Sequence, residues 1–436
     1  MIKSACVVTL GCKANQFESA AIEELLLTDG YQLLPFEQGA QLVVINTCTV
    51  TSATDTQSRK LVRRARRFNS SCRIIVTGCY AQVQPEKLAE LEGVDLVIGN
   101  MEKENFLSLI SAQGEKIQVS DIAKASHCPN LKIASFFEHS RAFVQIQSGC
   151  NAFCSYCIIP FARGRSRSVV QSEVIDQIKA LVNNGYNEVV LTGIHIGNYG
   201  RDLQAQDGET ITLATLVKDI LAQTSLNRLR LGSIEPQELS DELLGLVNRS
   251  NRICSHLHIP LQSGSDSVLK RMNRHYSAQN FYNCLHNVYA TDPTVSIGID
   301  LIVGFPGETE EEHQQTMALV QRLPIHYLHV FPYSIRPGTA AEKMKDHIHP
   351  SIAKERATQL RQLGELKKLE YMSHFIGKEV AVVVENHTDN GRCRGVSGEY
   401  LQVAFESEQP LAGQCVTVMI QGIEGETLVG DLLLSS

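Results

Sequence analysis

From residue 142 onward the chain repeats one pattern six times: a short apolar run, then an amphipathic stretch. The runs fall at 143–147, 188–192, 228–232, 254–259, 296–303 and 327–331. Helical periodicity fills the spaces between them, for example at 172–183, 212–222, 241–247, 282–290 and 310–322. Strands alternating with helices in this way form a parallel sheet with helices packed against it. Eight such units close a barrel, and six are too few. The expected fold is therefore a partial, open (βα)6 barrel, with its cleft at the C-terminal ends of the strands.

The flanks differ from this centre. Residues 1–125 also alternate, with strands expected at 5–10, 42–46, 73–77 and 94–98 and helices at 16–28 and 54–68, which reads as a separate doubly wound α/β domain. The polar stretch 120–130 reads as a linker. A long helix is expected at 351–375, where Leu360, Leu363, Leu366, Leu369 and Met372 recur every three residues until Gly377 ends the pattern. Short alternating runs at 379–384, 400–404 and 416–421, broken by Gly-rich turns, then predict a small all-β barrel. The domain boundaries implied are 1–125, 136–370 and 371–436, consistent with a chain of 436 residues.

Composition narrows the class. The chain is 43% hydrophobic and 20% charged, no apolar run approaches the ~20 residues of a membrane span, and the start does not resemble a secretory leader. A cytoplasmic protein without membrane attachment is expected. Thirteen cysteines in such a chain read as metal ligands and buried thiols rather than disulfides. The net charge of -7 gives no general attraction to nucleic acid, so any such contact needs local basic patches.

Two groups of three cysteines carry the chemistry. Cys150, Cys154 and Cys157 follow the first barrel strand at C-x-x-x-C-x-x-C spacing, with no fourth close behind. Thiolates ligate soft metal, and an iron–sulfur cube takes four ligands, so a loop that supplies three leaves one iron open to a small molecule. Cys12, Cys48 and Cys79 each lie just beyond the end of an N-terminal strand, the edge along which open parallel sheets bind ligands. Three buried thiols or a zinc site are the alternative readings, although structural zinc wants a fourth ligand. The other seven cysteines, Cys6 among them, read as structural. At the barrel mouth the turns after the strands contain Gly193, Ser233, Glu235 and Gln262, candidates to contact a cofactor or substrate. His195 and His258 are given no role.

These segments resemble the methylthiotransferases, a branch of the radical S-adenosylmethionine enzymes, over essentially the whole chain. The resemblance is carried by Thr9-Leu-Gly-Cys-Lys-Ala-Asn-Gln16, Asn46-Thr-Cys-Thr-Val-Thr51, Thr77-Gly-Cys-Tyr-Ala-Gln82 and the C-x-x-x-C-x-x-C loop. It implies an auxiliary 4Fe–4S cluster on Cys12, Cys48 and Cys79, and a radical 4Fe–4S cluster with S-adenosylmethionine on Cys150, Cys154 and Cys157. It also implies a C-terminal TRAM barrel and replacement of C–H by C–S–CH3. One S-adenosylmethionine would methylate sulfur and a second would yield the 5′-deoxyadenosyl radical. A one-electron donor such as flavodoxin or ferredoxin is expected. Isopentenyladenosine in tRNA, threonylcarbamoyladenosine in tRNA and a ribosomal-protein aspartate are the family's substrates. The segments 158–168, 193–202 and 231–236 resemble the threonylcarbamoyladenosine group best. Arg165 and Arg167 would then meet the threonyl carboxylate or tRNA phosphate. A non-catalytic, redox-sensing RNA-binding protein is the rival reading from another class.

RNA contact has two further candidates. Residues 59–67 hold six basic side chains, either a solvated helix face or a phosphate-binding stripe for a tRNA anticodon loop. From residue 376 on, Lys378, Arg392 and Arg394 face nine acidic residues, so contact there should concentrate at Arg392 and Arg394, in the loop 386–395.

Overall fold

The computed structural model describes residues 3–112, 114–134, 136, 140–204, 210–387 and 391–433. Its N-terminal sheet has six parallel strands in the order Gln32–Leu33, Ser4–Thr9, Leu42–Thr47, Arg73–Gly78, Leu96–Ile98, Ile117–Gln118. The run Leu42–Thr47 is buried at every position, as a strand covered on both faces requires. One face packs Ile22, Leu26 and Phe106, and the other packs Leu61, Val62, Tyr80 and Leu88. The two edge strands were not expected, because two residues are too few to show alternation. Strand order reverses between Ser4–Thr9 and Leu42–Thr47, which makes the gap between them a topological switch point.

The central series forms six parallel strands in chain order: Ala142–Gln145, Glu188–Thr192, Arg228–Leu231, His256–His258, Ser296–Val303 and Tyr327–Pro332. Single bridges, Leu229 to Ile253 and Ser233 to His258, join its two halves. The barrel stays open, as six units predict. The fourth strand is half its expected length, because isolated bonds such as Cys254 N–H to Leu229 O take over from the regular ladder. Leu229, Leu257 and Ile299 belong to the apolar core, while Arg230 pairs with Glu188, His256 with Tyr327 and His258 with Asp300 in a polar interior.

The helix Pro350–Ser373 does not bury its every-third-residue apolar series on one face. A period of three drifts around a helix of 3.6 residues per turn. Leu360 is therefore in the central core and Met372 in the C-terminal one, with Leu366 67% exposed between them. The helix thus joins two cores. The C-terminal barrel is closed by Glu379–His387, Arg392–Ser397, Gln402–Glu406, Thr427–Leu433 and Cys415–Glu424. The strands Arg392–Ser397 and Thr427–Leu433 were missed, since Gly395, Gly430 and flanking charges interrupt their alternation. This barrel docks on the N-terminal ends of the central strands. Arg228 donates to Ala381 O at 3.2 Å, Arg230 donates to Ser397 O at 2.8 Å, and Arg141 pairs with Glu385 at 2.6 Å.

Candidate functional site

Cys12 caps the start of the helix Lys13–Thr28, while Cys48 and Cys79 follow their strands directly. One strand-end rule thus brings three distant residues to the switch point. Gly11 and Gly78 both adopt φ of +95°, the left-handed region open to glycine. A Cβ on Gly11 would lie 2.7 Å from the Cβ of Cys48, so the turn before one ligand is what admits the next. Cys48 and Cys79 are buried and Cys12 is exposed. Burial, then the neighbouring Cys79, pushes the Cys48 thiol up to about 12, and burial also raises Cys79. Thiols so placed become thiolates readily only when a cation takes the place of water, which suits a metal and not a simple reactive cysteine.

The second triplet lies on the loop after Ala142–Gln145. Two of its thiols have a base and an acid behind them. Cys150 Sγ is 3.4 Å from His195 Nδ1, and His195 Nε2 is 2.8 Å from Glu238. Cys154 Sγ accepts from Arg274 at 3.4 Å, and Arg274 pairs in turn with Glu235. Burial lowers the pKa of His195, but its bonds to Cys150 and Glu238 prevail and raise it to about 10. Cys157 is pushed up to about 12 by burial and by Cys154. Three soft ligands with one corner free fit a cubane cluster.

Arg163 links the two triplets. It ends the short helix Ile159–Arg163, six residues after Cys157, and is 1% exposed. Its Nε donates to Cys79 Sγ at 3.3 Å, and its other nitrogens reach Glu18 at 2.6 Å and Asn15 at 2.5 Å. Lys103 closes the group by pairing with Glu18 and donating to Asn100 at 2.9 Å. Glu18 is held near 2: burial would raise it, and the two cations overcome that. A second tie across the same interface is Arg336, which donates to Thr49 and Asp55 at 2.6 Å each.

Arg163, Arg274 and Arg336 were not picked out from sequence. A lone arginine carries no spacing signal, and only the fold shows what it meets. The neighbouring residue Arg167, expected at the substrate or RNA, is buried. It donates to Arg163 O at 2.6 Å, so its role is to brace that loop. Arg165 does face solvent, stacked 4.6 Å over the exposed ring of Phe153. Gly193 sits where a Cβ would come within 2.8 Å of Gln147 O. Ser233 is exposed, Gln262 is half-buried at φ +67°, and Glu235 is engaged by Arg274. Of the six basic residues at 59–67, Arg59 donates to Tyr80, Arg64 pairs with Glu37 and Arg66 with Asp95. Lys60, Arg63 and Arg67 are exposed along one helical stripe. In the C-terminal barrel Arg392 pairs with Glu424 and Arg394 is exposed. Residues 388–390 of that loop lie outside the described residues. Among the described residues no helix is long and apolar enough to cross a membrane.

Residues 4–99 match a family described as Uncharacterized protein family UPF0004, and residues 144–320 match the Radical SAM superfamily. The chain is 40% identical over 421 residues to the threonylcarbamoyladenosine tRNA methylthiotransferase MtaB of Bacillus subtilis (strain 168), covering 94% of this chain and 92% of that protein. It is 33% identical over 437 residues to the tRNA-2-methylthio-N(6)-dimethylallyladenosine synthase of Desulfitobacterium hafniense, covering 98% and 97%. Among solved structures, the radical S-adenosylmethionine methyltransferase TsrM from Kitasatospora setae, with cobalamin and a [4Fe-4S] cluster bound, matches with a TM-score of 0.57 at 14% identity over 90% of this chain and 81% of that one. At that identity the likeness is one of fold.

Proposed function

The chain belongs to the radical S-adenosylmethionine tRNA methylthiotransferase family, and from that premise we propose that it converts N6-threonylcarbamoyladenosine, beside the anticodon of tRNA, to its 2-methylthio derivative. The observation that carries the two-site mechanism is Arg163, which runs from the loop of one thiol triplet to a thiol of the other. Two metal sites tied by one buried side chain satisfy the need of a reaction that must both activate a C–H bond and deliver sulfur to it, since neither can act at a distance.

In this reading Cys150, Cys154 and Cys157 hold one 4Fe–4S cluster and Cys12, Cys48 and Cys79 hold another. Bound there, the clusters and S-adenosylmethionine supply the carbon radical and the methylthio group. The chain's own residues position these groups. Arg274 donates toward Cys154 and Arg163 toward Cys79, and the His195 ring lies against Cys150, which offsets thiolate charge away from water. Gly193 keeps the turn behind the Cys150, Cys154 and Cys157 loop tight. Among the described residues Ser233 and Gln262 have no side-chain hydrogen-bond partner, and they are assigned to S-adenosylmethionine, whereas Glu235 acts through Arg274.

Lys60, Arg63, Arg67 and Arg165 offer exposed positive charge for tRNA phosphate. The exposed rings of Phe153 and Phe161 suit a base splayed out of a single-stranded loop. The C-terminal barrel is assigned as a TRAM domain, and the electron donor as a flavodoxin- or ferredoxin-type carrier.

Nucleoside mass spectrometry of tRNA from cells lacking the gene tests the assignment. The 2-methylthio form of threonylcarbamoyladenosine should vanish and its unmodified precursor accumulate, with return on complementation by the wild-type gene but not by Cys154→Ala. Persistence of the product overturns the substrate.

A further inference from the structure

The floor of the central barrel holds more positive charge than it neutralises. Glu188, fully buried, is shared by Arg230 and Arg228 at 2.8 Å each and by Arg141 at 3.6 Å, and Arg141 also meets Glu385. Arg228 and Arg230 also donate through their terminal nitrogens to carbonyls of the C-terminal barrel. Lys13 enters this interior from the other domain and stands apart from the arginines. It follows Cys12 directly and is half-buried. Its Nζ lies 5.4 Å from the ring of Tyr400, which also receives the Arg230 guanidinium at 5.1 Å and packs on the His256 ring at 4.7 Å. Tyr400 adopts φ +67°, a strained conformation for a tyrosine, which its packing here holds in place. Among the described residues no carboxylate lies within 4.0 Å of Lys13 Nζ and no acceptor hydrogen-bonds it.

We infer that Lys13 is the specificity residue for the substrate base, receiving the carboxylate of the threonylcarbamoyl group. The inference rests on the proposed substrate and deepens it. A partly desolvated ammonium without a partner is costly unless an anion joins it. Lys13 follows Cys12 in the chain, which ties its backbone to the N-terminal triplet, where the reacting base must come. The substrates named for the two kinds of similar protein differ in their N6 substituent: threonylcarbamoyl is polar and carries a carboxylate, and dimethylallyl is a hydrocarbon.

A neighbouring group, His258, Asp300 and His329, has ligand atoms within 4.8 Å of one another and is the alternative as a cation site. Asp300 is already paired with His258 at 3.1 Å, and the surplus of cations around Tyr400 favours an anion over a metal ion. The C-terminal barrel, by supplying Tyr400, completes the floor on which Lys13 rests.

The test uses anaerobically reconstituted full-length enzyme and two anticodon stem–loop RNAs. One carries threonylcarbamoyladenosine, and the other carries the same nucleoside with its carboxylate converted to a primary amide. For the wild type, KM and Kd should be about tenfold higher for the amide, the scale of one charge-assisted hydrogen bond. Lys13→Met should raise both constants about tenfold for the carboxylate RNA and erase the difference between the RNAs, with kcat and iron content kept. Lys13→Arg should restore most of the preference. Equal wild-type affinity for the two RNAs overturns the inference, whatever the variants do. A Lys13→Met loss equal on both RNAs assigns Lys13 to phosphate instead, and a raised KM for S-adenosylmethionine alone assigns it to that carboxylate; each overturns the inference too. A wild type that turns over neither RNA contradicts the substrate itself.

Discussion

The two thiol triplets, assigned the same kind of work in the proposed function, are built in opposite ways. Cys150, Cys154 and Cys157 sit within eight consecutive residues, so local chain geometry brings them together. Cys12, Cys48 and Cys79 meet only when three parallel strands are in register, Thr9 beside Asn46 and Asn46 beside Thr77. The first set is a property of a loop, and the second is a property of a fold. The contrast teaches where each is vulnerable: the loop to changes in its own residues, the strand-end set to anything that loosens the N-terminal sheet or its seal.

The largest effect should come from deleting one thiol in either set. Cys154→Ala and Cys79→Ala should each abolish methylthiolation, by at least about 1,000-fold if both sites are needed for one turnover. Iron analysis separates them, with about eight irons per wild-type chain falling to about four in each variant. A variant that keeps all its iron contradicts the ligand assignment.

Arg163→Met sharpens the comparison further. Removing one partner of a buried, hydrogen-bonded ion pair costs roughly 4 kcal/mol, and here the loss falls on the seal of the strand-end set alone. Chelator challenge should strip iron from the N-terminal site of this variant well before the loop site. Equal loss from both sites contradicts the separation.

The smallest effect is one of pH. Glu18 is held near 2 in the folded chain against an ordinary value of 4.5. A depressed carboxyl stabilises fully above its unfolded pKa, and that contribution fades as pH falls through the folded one, so about 3 kcal/mol should be lost between pH 4.5 and 2. Urea titrations of wild type and Glu18→Gln should therefore differ most near pH 7 and converge toward pH 2. A gap that stays constant with pH contradicts the role of Glu18.

The same contrast governs what could be read from the chain. The six βα units, the doubly wound N-terminal sheet and the loop triplet leave periodic or spaced signals, and each is present in the structure. The cysteines at three strand ends were legible because strand ends are. The side chains that face them were not. Arg163 and Arg167 stand four apart in one basic run, yet one reaches Cys79 and the other a backbone carbonyl. Nothing in the run distinguishes them, since burial is decided by the sheet that packs above. The every-third-residue stripe after Leu360 likewise looked like one face and proved to be two, shared between two cores.

Arg163 also sets an order of assembly. A chain leaving the ribosome completes the N-terminal sheet at Ile117–Gln118, but the side chain that lies against Cys79 is made well after that. Until then Glu18 and Cys79 lack the side chain that meets them across this interface. On the two-cluster reading proposed above, metal delivery to the strand-end set would have its window before that docking, while the loop triplet could be filled after the barrel has formed around it.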